Sequence, residues 1–237
     1  MDYLRRIGPD GEFPPSVDAL KEPNGLLAVG GQLNQDTLLR AYRRGIFPWF
    51  EEPQPVLWWT PDPRSVLFPC ELHRSRSLRK TLRRNTFRLA VDSNFSAVIA
   101  ACAHLRAEGP GTWIGSQMTR AYVDLHRSGC AHSIEVYNTD SALVGGLYGI
   151  ALGRVFFGES MFSRVPDASK VALCALVDIL LRGDFHMIDC QVESAHMNSM
   201  GARNIRRLDF EARLAHTVDD SPDSTIWQLP AKCGGLL

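Results

Sequence analysis

The sequence predicts an α+β fold in which a mixed sheet is backed by helices. Three consecutive stretches, 132–138, 142–150 and 154–162, read as strands, and Asn138-Thr139-Asp140 and Leu152-Gly153 supply the turns between them. A long apolar helical pattern follows from Ala168 to Arg182. A short β-type stretch, Ile188-Asp189-Cys190-Gln191-Val192, comes after it. The chain thus runs from hairpin-linked strands through a helix to one further strand.

Residues 1–62 are turn-rich and are expected to form a small N-terminal domain. Pro14-Pro15, Pro23-Asn24-Gly25, Gly30-Gly31 and the prolines at 48, 53, 55 and 61 punctuate short elements there. One helix is expected from Asn34, a capping residue, to Arg44, with Leu38, Leu39 and Tyr42 as its apolar stripe and Gly45 ending it. Phe47-Pro48-Trp49-Phe50 and Leu57-Trp58-Trp59 put three of the five tryptophans close together. Such a cluster can glue a small domain or offer stacking faces to bases. Around Asp62-Pro63-Arg64 the pattern lengthens, and a second domain is expected over 63–237. Its elements are a strand at 65–68, a basic helix at 75–84, a strand at 87–91 and a helix at 95–105. A loop through Gly111-Thr112-Trp113-Ile114 and a helix at 119–128 precede the three strands. Residues 209–237, with Asp219-Asp220 and Pro222-Asp223, read as a loose tail. There is no internal repeat.

Lys and Arg number 26 and so do Asp and Glu, so the chain has no global basic field and any nucleic-acid site must come from local clustering. Six cysteines are scattered without C-x-x-C, as in reduced usage rather than a disulfide scaffold or zinc site. The seven histidines include no H-E-x-x-H. The N-terminus lacks an apolar signal region, and no later run is long enough to span a bilayer. These features read as a soluble cytoplasmic protein without a metal site.

Chemistry-bearing residues concentrate in three places. Strand alternation puts Asp189 and Gln191 on one face and Ile188, Cys190 and Val192 on the other. A carboxylate and a carboxamide on a mostly apolar sheet are costly unless partnered. Gly158-Glu159-Ser160-Met161-Phe162-Ser163-Arg164 closes an apolar hairpin with a polar cluster. From Arg74 to Arg88 there are seven basic residues and no acid. Arg76, Lys80 and Arg84 share one helical face beside Arg79 and Arg83. Like charges so arranged repel, and phosphates are the partner that would offset the cost. The cluster is too short, and the chain too neutral, for a duplex-DNA binder. Two motifs are decoys. Arg106-Ala107-Glu108-Gly109-Pro110-Gly111 matches R-x-x-G-x-G, but Pro110 removes a backbone donor and no clear helix start follows. Gly158-Glu159-Ser160 lacks the closing glycine of a nucleophile elbow.

Taken together, the segments are more specific. Glu22 to Ala28, Tyr42 to Phe50, Leu57 to Arg64, Gly111 to Ile114, His132 to Val136, Gly145 to Gly149, Gly158 to Arg164 and Ile188 to Val192 stand in one order across 22–209. In these segments the chain closely resembles the leucyl/phenylalanyl-tRNA–protein transferase family. The resemblance implies a small N-terminal domain plus a GNAT-like C-terminal domain, whose strand order matches that of GNAT acyltransferases. It implies transfer of leucine or phenylalanine, and methionine less well, from charged tRNA to a protein beginning with arginine or lysine. The product would enter bacterial N-end-rule degradation. The family uses no coenzyme A, other cofactor or metal, and a monomer is expected. By correspondence, Asp189, Gln191 and Glu159 handle the acceptor; Asp189 would be a general base or, the favoured reading, an anchor for the acceptor's cation. Tyr42, Trp49, Trp113 and Tyr122 correspond to residues around the tRNA 3′ adenosine. Leu147, Phe156, Met161 and Leu176 would line the donor side-chain pocket, Leu147 standing where some relatives have methionine and Leu176 where at least one has phenylalanine. Arg76, Arg79, Lys80, Arg83 and Arg84 would meet tRNA phosphates. The alternatives are another tRNA-dependent GNAT-like aminoacyltransferase, or a non-enzymatic module binding the tRNA 3′ end. The latter would have no reason to keep Glu159, Asp189 and Gln191 together.

Overall fold

A computed structural model of the chain describes residues 4–8, 11–107 and 114–236. The first segment forms a four-stranded sheet of order β1-β2-β4-β3. Its strands are β1 (Arg5–Ile7), β2 (Leu26–Gly30), β3 (Phe47–Pro48) and β4 (Leu57–Trp59). Helix α1 (Gln35–Tyr42) follows β2; the Asn34 side chain caps it by accepting from Thr37 N, and Gly45 at φ +69° turns the chain out of it. These strands span only two to five residues, so that sequence pattern locates only the helix.

The larger sheet has seven strands in the order β11-β5-β10-β9-β8-β7-β6. They are β5 (Arg64–Leu67), β6 (Arg88–Val91), β7 (Ala131–Tyr137), β8 (Leu143–Leu152), β9 (Val155–Ser163), β10 (Met187–Gln191) and β11 (Arg203–Ile205). The helices are α2 (Arg76–Arg84), α3 (Phe95–Ala107), α4 (Ser116–Arg127), α5 (Ala168–Arg182), α6 (Ala195–Ser199) and α7 (Arg207–Thr217). Strands β6 to β9 pair antiparallel in sequence order, while β10, reached through α5, pairs parallel with β9 and antiparallel with β5. The sheet is therefore mixed, as expected.

Its two faces carry separate cores. Tyr148, Ile150 and Phe157 pack with Ile99 of α3, Tyr122 of α4, Tyr42 of α1 and Trp58 of the small sheet. Leu147, Phe156 and Ile188 pack with α5 and with Leu78 and Leu82 of α2. Alternation along each strand divides the residues in this way. Helix α5 is enclosed along nearly its whole length, which explains its unbroken apolar sequence.

Two expectations are corrected. Residues 209–237 are not a loose tail: α7 buries Phe210 and Leu214, and the segment beyond packs Ile226, Cys233 and Leu236 into the α5 side. Trp227 stacks on His132 with ring centroids 3.5 Å apart, and Arg182 donates to the Ile226 carbonyl. The acidic and proline-containing turn around 219–223 masks a well-packed end. Second, Asp189 and Gln191 do not share one face, because Gln191 has φ +58° and the ladder with β5 shifts register between them. Among the described residues no helix is long and apolar enough to cross a membrane.

Candidate functional site

The site lies where two parallel strands part. The β9–β10 ladder ends at the pair Phe157–Asp189. Beyond it β9 stays paired with β8 and β10 ends, so a crevice opens at the carboxyl ends of both strands, where ligands sit in open α/β sheets. A cavity of about 370 Å³ fills the crevice. Leu147, Phe156, Met161 and Leu176 all line it, with Leu173 and Ile188. Glu159, Gln191 and Trp49 also reach its wall. Segments far apart in sequence therefore meet at one cavity.

Glu159 owes its place to a β-bulge. Tyr148 pairs with Ser160 and Gly149 with Gly158, leaving Glu159 without a partner on β8. Gly149 is required opposite the bulge, since a Cβ there would stand 2.2 Å from the Phe157 carbonyl oxygen. The Glu159 carboxylate is buried between two tyrosines. Tyr42 Oη donates to Oε1 at 2.6 Å and Tyr122 Oη to Oε2 at 2.7 Å, while the two hydroxyl oxygens are 2.6 Å apart. The three close oxygen contacts share two hydroxyl protons when the carboxyl is ionised; a protonated carboxyl supplies the third. Burial raises the Glu159 pKa from 4.5 to about 7, against the tyrosine hydrogen bonds and Arg64; Asp189 adds to the rise. Burial, then Glu159, raises both tyrosine hydroxyls well above 10, so they remain donors. Gln191 Nε2 approaches Oε1 at 3.5 Å from the other strand.

Asp189 is not on the cavity wall. It is fully buried, and Arg64 forks it with Nε to Oδ1 at 2.8 Å and Nη2 to Oδ2 at 2.7 Å. Oδ1 also accepts from Gln191 N at 3.0 Å. The Asp189 carboxylate thus faces Arg64 and not the cavity. Tyr42 and Tyr122 are fully buried with their hydroxyls turned to Glu159, so neither ring presents a face for stacking on adenosine. Trp49 does: it is 44% exposed, beside Trp59 with centroids 5.5 Å apart. Trp113 lies outside the described residues, as does most of the Arg106–Gly111 motif.

The basic helix is as expected. Ser75 caps α2 by accepting from Leu78 N, Leu78 and Leu82 face inward, and Arg76, Arg79, Lys80, Arg83 and Arg84 are all exposed. Sequence reasoning missed Arg64, which only a partner 125 residues away makes legible, and His196, whose ring lines the cavity. Among the described residues there is no disulfide. Among the described residues no three His, Cys, Asp or Glu side chains are grouped to hold a metal.

Comparison with known proteins points one way. A family model described as leucyl/phenylalanyl-tRNA protein transferase matches residues 66–215, and one for the N-terminal domain of the same proteins matches 31–62. The leucyl/phenylalanyl-tRNA–protein transferase of Methylococcus capsulatus is 55% identical over 228 residues, covering 95% of this chain and 97% of the relative. That of Pseudomonas fluorescens is 54% identical over 216 residues, 91% of this chain and 95% of the relative. That of Nitrosomonas eutropha is 52% identical over 224 residues, 94% and 95%. The solved structure of L-PGS from Bacillus licheniformis aligns at 9% identity and TM-score 0.40, over 71% of this chain and 54% of that one, too slight a likeness to argue from.

Proposed function

The chain belongs to the leucyl/phenylalanyl-tRNA–protein transferase family, and from that premise we propose how its cavity transfers leucine or phenylalanine from tRNA to the α-amine of a protein beginning with arginine or lysine. Methionine is a poorer donor, and the product is marked for N-end-rule degradation. The enzyme acts as a cytoplasmic monomer, with residues 1–62 as a small domain against a GNAT-like domain of 63–237. One observation carries the reading: a single carboxyl, raised to about 7, stands on the wall of a largely apolar cavity.

The donor's aminoacyl ester is already activated, so the protein must hold two substrates in attack geometry and manage one proton. The apolar wall of Leu147, Phe156, Met161 and Leu176 takes the donor side chain. Exposed Trp49, with Trp113, stacks on the terminal base. The cationic face of α2 holds phosphates of the acceptor stem. The acceptor α-ammonium ordinarily titrates near 8 and must lose a proton to attack. Glu159 takes that proton. The amine nitrogen then bonds to the ester carbonyl carbon, the bond from that carbon to the ribose oxygen breaks, the proton held by Glu159 passes to the leaving oxygen, and the bonded nitrogen releases its second proton to solvent, leaving a neutral amide. A base with a pKa of about 7 both accepts and returns a proton readily near neutrality. Tyr42 and Tyr122 orient its two oxygens, and the Gln191 carboxamide, anchored on Glu159, offers its oxygen to the incoming amine. No cofactor enters any step.

The test uses purified protein, radiolabelled leucyl-tRNA and an Arg-initiated peptide with no other enzyme. Label should pass to the peptide, and a peptide with an uncharged first side chain or an acetylated N-terminus should receive none. A protein that binds leucyl-tRNA but leaves all label on it would be a tRNA-end-binding module instead.

A further inference from the structure

Arg64 does not line the cavity, yet it is a fully buried charged side chain beside it. Its guanidinium is fully enclosed between the rings of Phe47 on β3 and Phe210 on α7, 4.9 and 4.6 Å from the centroids. Asp189 is its polar partner, through two parallel hydrogen bonds, while Nη1 finds no acceptor among the described residues. A buried pair of this kind often contributes little net stability, because desolvation offsets attraction. Its geometry shows a use. Asp189 Oδ1 accepts from the backbone N–H of Gln191, and Gln191 is held at φ +58°, a conformation that residues other than glycine rarely adopt. With ordinary strand geometry Gln191 would point to the same buried face as Asp189. The left-handed turn brings its carboxamide round to Glu159 and the cavity.

We propose that Arg64 is a positioning residue for the transfer reaction: gripped by Phe47 and Phe210, it fixes Asp189, and Asp189 fixes the left-handed backbone that aims Gln191 at the acceptor amine. This rests on the reading of the cavity given above. The guanidinium fork is the element that matters, because it locks both rotation and position of the carboxylate, which the single ammonium of lysine cannot do. Phe47 belongs to the small sheet and Phe210 to α7, so the same contact ties the aim of Gln191 to the docking of both against the large sheet.

The experiment is a double-mutant cycle on the full chain. Wild type, Arg64→Lys, Gln191→Ala and Arg64→Lys/Gln191→Ala are assayed for kcat with an Arg-initiated peptide and for leucyl-tRNA binding, with thermal melts to confirm folding. Arg64→Lys should bind leucyl-tRNA within about twofold of wild type and lose about 100-fold in kcat, the scale of a misplacement near 1 Å. In the Gln191→Ala background the same change should cost less than about threefold, because the group it aims is gone. Wild-type kcat in folded Arg64→Lys, or the full loss repeated in the Gln191→Ala background, would overturn the proposal. Should Arg64→Lys melt below assay temperature, Arg64→Gln/Asp189→Asn removes both buried charges together and takes its place in the cycle, with the same expectations. Glu159→Gln run in parallel separates the two readings: retained kcat there removes Glu159 as the base, while the coupling between Arg64 and Gln191 is still read from the cycle.

Discussion

Replacing Glu159 by glutamine tests the central electrostatic claim without any substrate. The carboxyl titrates at 4.5 in ordinary surroundings and at about 7 in its buried place between the tyrosines. The folded protein therefore holds a proton between those values that the unfolded chain has released. Stability falls as pH rises through that window, and the loss is complete above about pH 7. Integrated between pH 5 and pH 8, the loss due to this group is about 2.5 kcal/mol. Glutamine cannot ionise, so Glu159→Gln escapes it. The hydrogen bonds that glutamine makes or fails to make with Tyr42 and Tyr122 shift its stability equally at both pH values. The groups facing Glu159, namely Tyr42, Tyr122, Gln191, Asp189 and Arg64, are unchanged in the variant and largely cancel in the subtraction. Urea unfolding of both proteins at pH 5 and pH 8 reads the quantity directly. The stability difference should move by about 2.5 kcal/mol in favour of the variant on going to pH 8. A change below about 0.5 kcal/mol, or one of opposite sign, would show that the carboxyl is not raised, and the proposed proton acceptor would lose its tuning.

Four further outcomes follow from the same geometry. Glu159→Gln should also lower kcat by about 10²–10⁴-fold for every acceptor peptide, the range for removing a general base, with leucyl-tRNA affinity kept in a filter-binding assay. Met161→Asp should stop leucine transfer while α5 and the sheet stay folded by circular dichroism; an active, folded variant would take Met161 out of the pocket. Reversing Arg76, Lys80 and Arg84 to glutamate should flatten the salt dependence of tRNA binding by roughly 0.7–0.9 in log–log slope per lost phosphate contact, and an unchanged slope would place the tRNA elsewhere. Trp227→Ala should destabilise by about 2 kcal/mol in chemical denaturation, less than for a fully buried tryptophan, whereas a freely hanging tail would give no change.

What the sequence disclosed, and what it hid, follows from the range of each interaction. Helix α5 was legible to the residue because its boundaries are local: Pro166 just before it and Gly183 just after. The three hairpin strands were legible because their turns lie between them. The strands of the small sheet were not, since each spans two to five residues and gains its identity from partners across the sheet. The packed end after Phe210 was missed for a related reason. Ile226, Trp227 and Cys233 are isolated apolar residues in a polar stretch, and only the groove beside α5 makes them core. Resemblance singled out Tyr42 and Tyr122 but not their hydrogen bonds to Glu159, because burial against Glu159 is a property of three elements together. Arg64 and Asp189 stand in the quoted motifs without any mark that they hold each other.

The deepest gap concerns backbone irregularity, and the site depends on it. Strict alternation would set Phe156 and Met161 on opposite faces of β9, five residues apart. The bulge at Glu159 reverses the parity, so both meet Leu147 and Leu176 on the side of α5. The same reversal lets Phe157 and Phe162 share the other core. On the neighbouring strand, the left-handed turn at Gln191 diverts a side chain that alternation would have buried beside Asp189. Two irregularities on adjacent parallel strands thus do one job. The first gathers an apolar wall and turns a carboxyl onto it, and the second brings a carboxamide to that carboxyl. Each costs regular pairing, and each is held by groups expensive to bury: two tyrosine hydroxyls for the bulge, an arginine–aspartate pair for the turn. Such costs persist where they position chemistry. A chain reduced to hydrophobic pattern would build the same sheet and leave the crevice without its acid, its amide or its closed apolar wall.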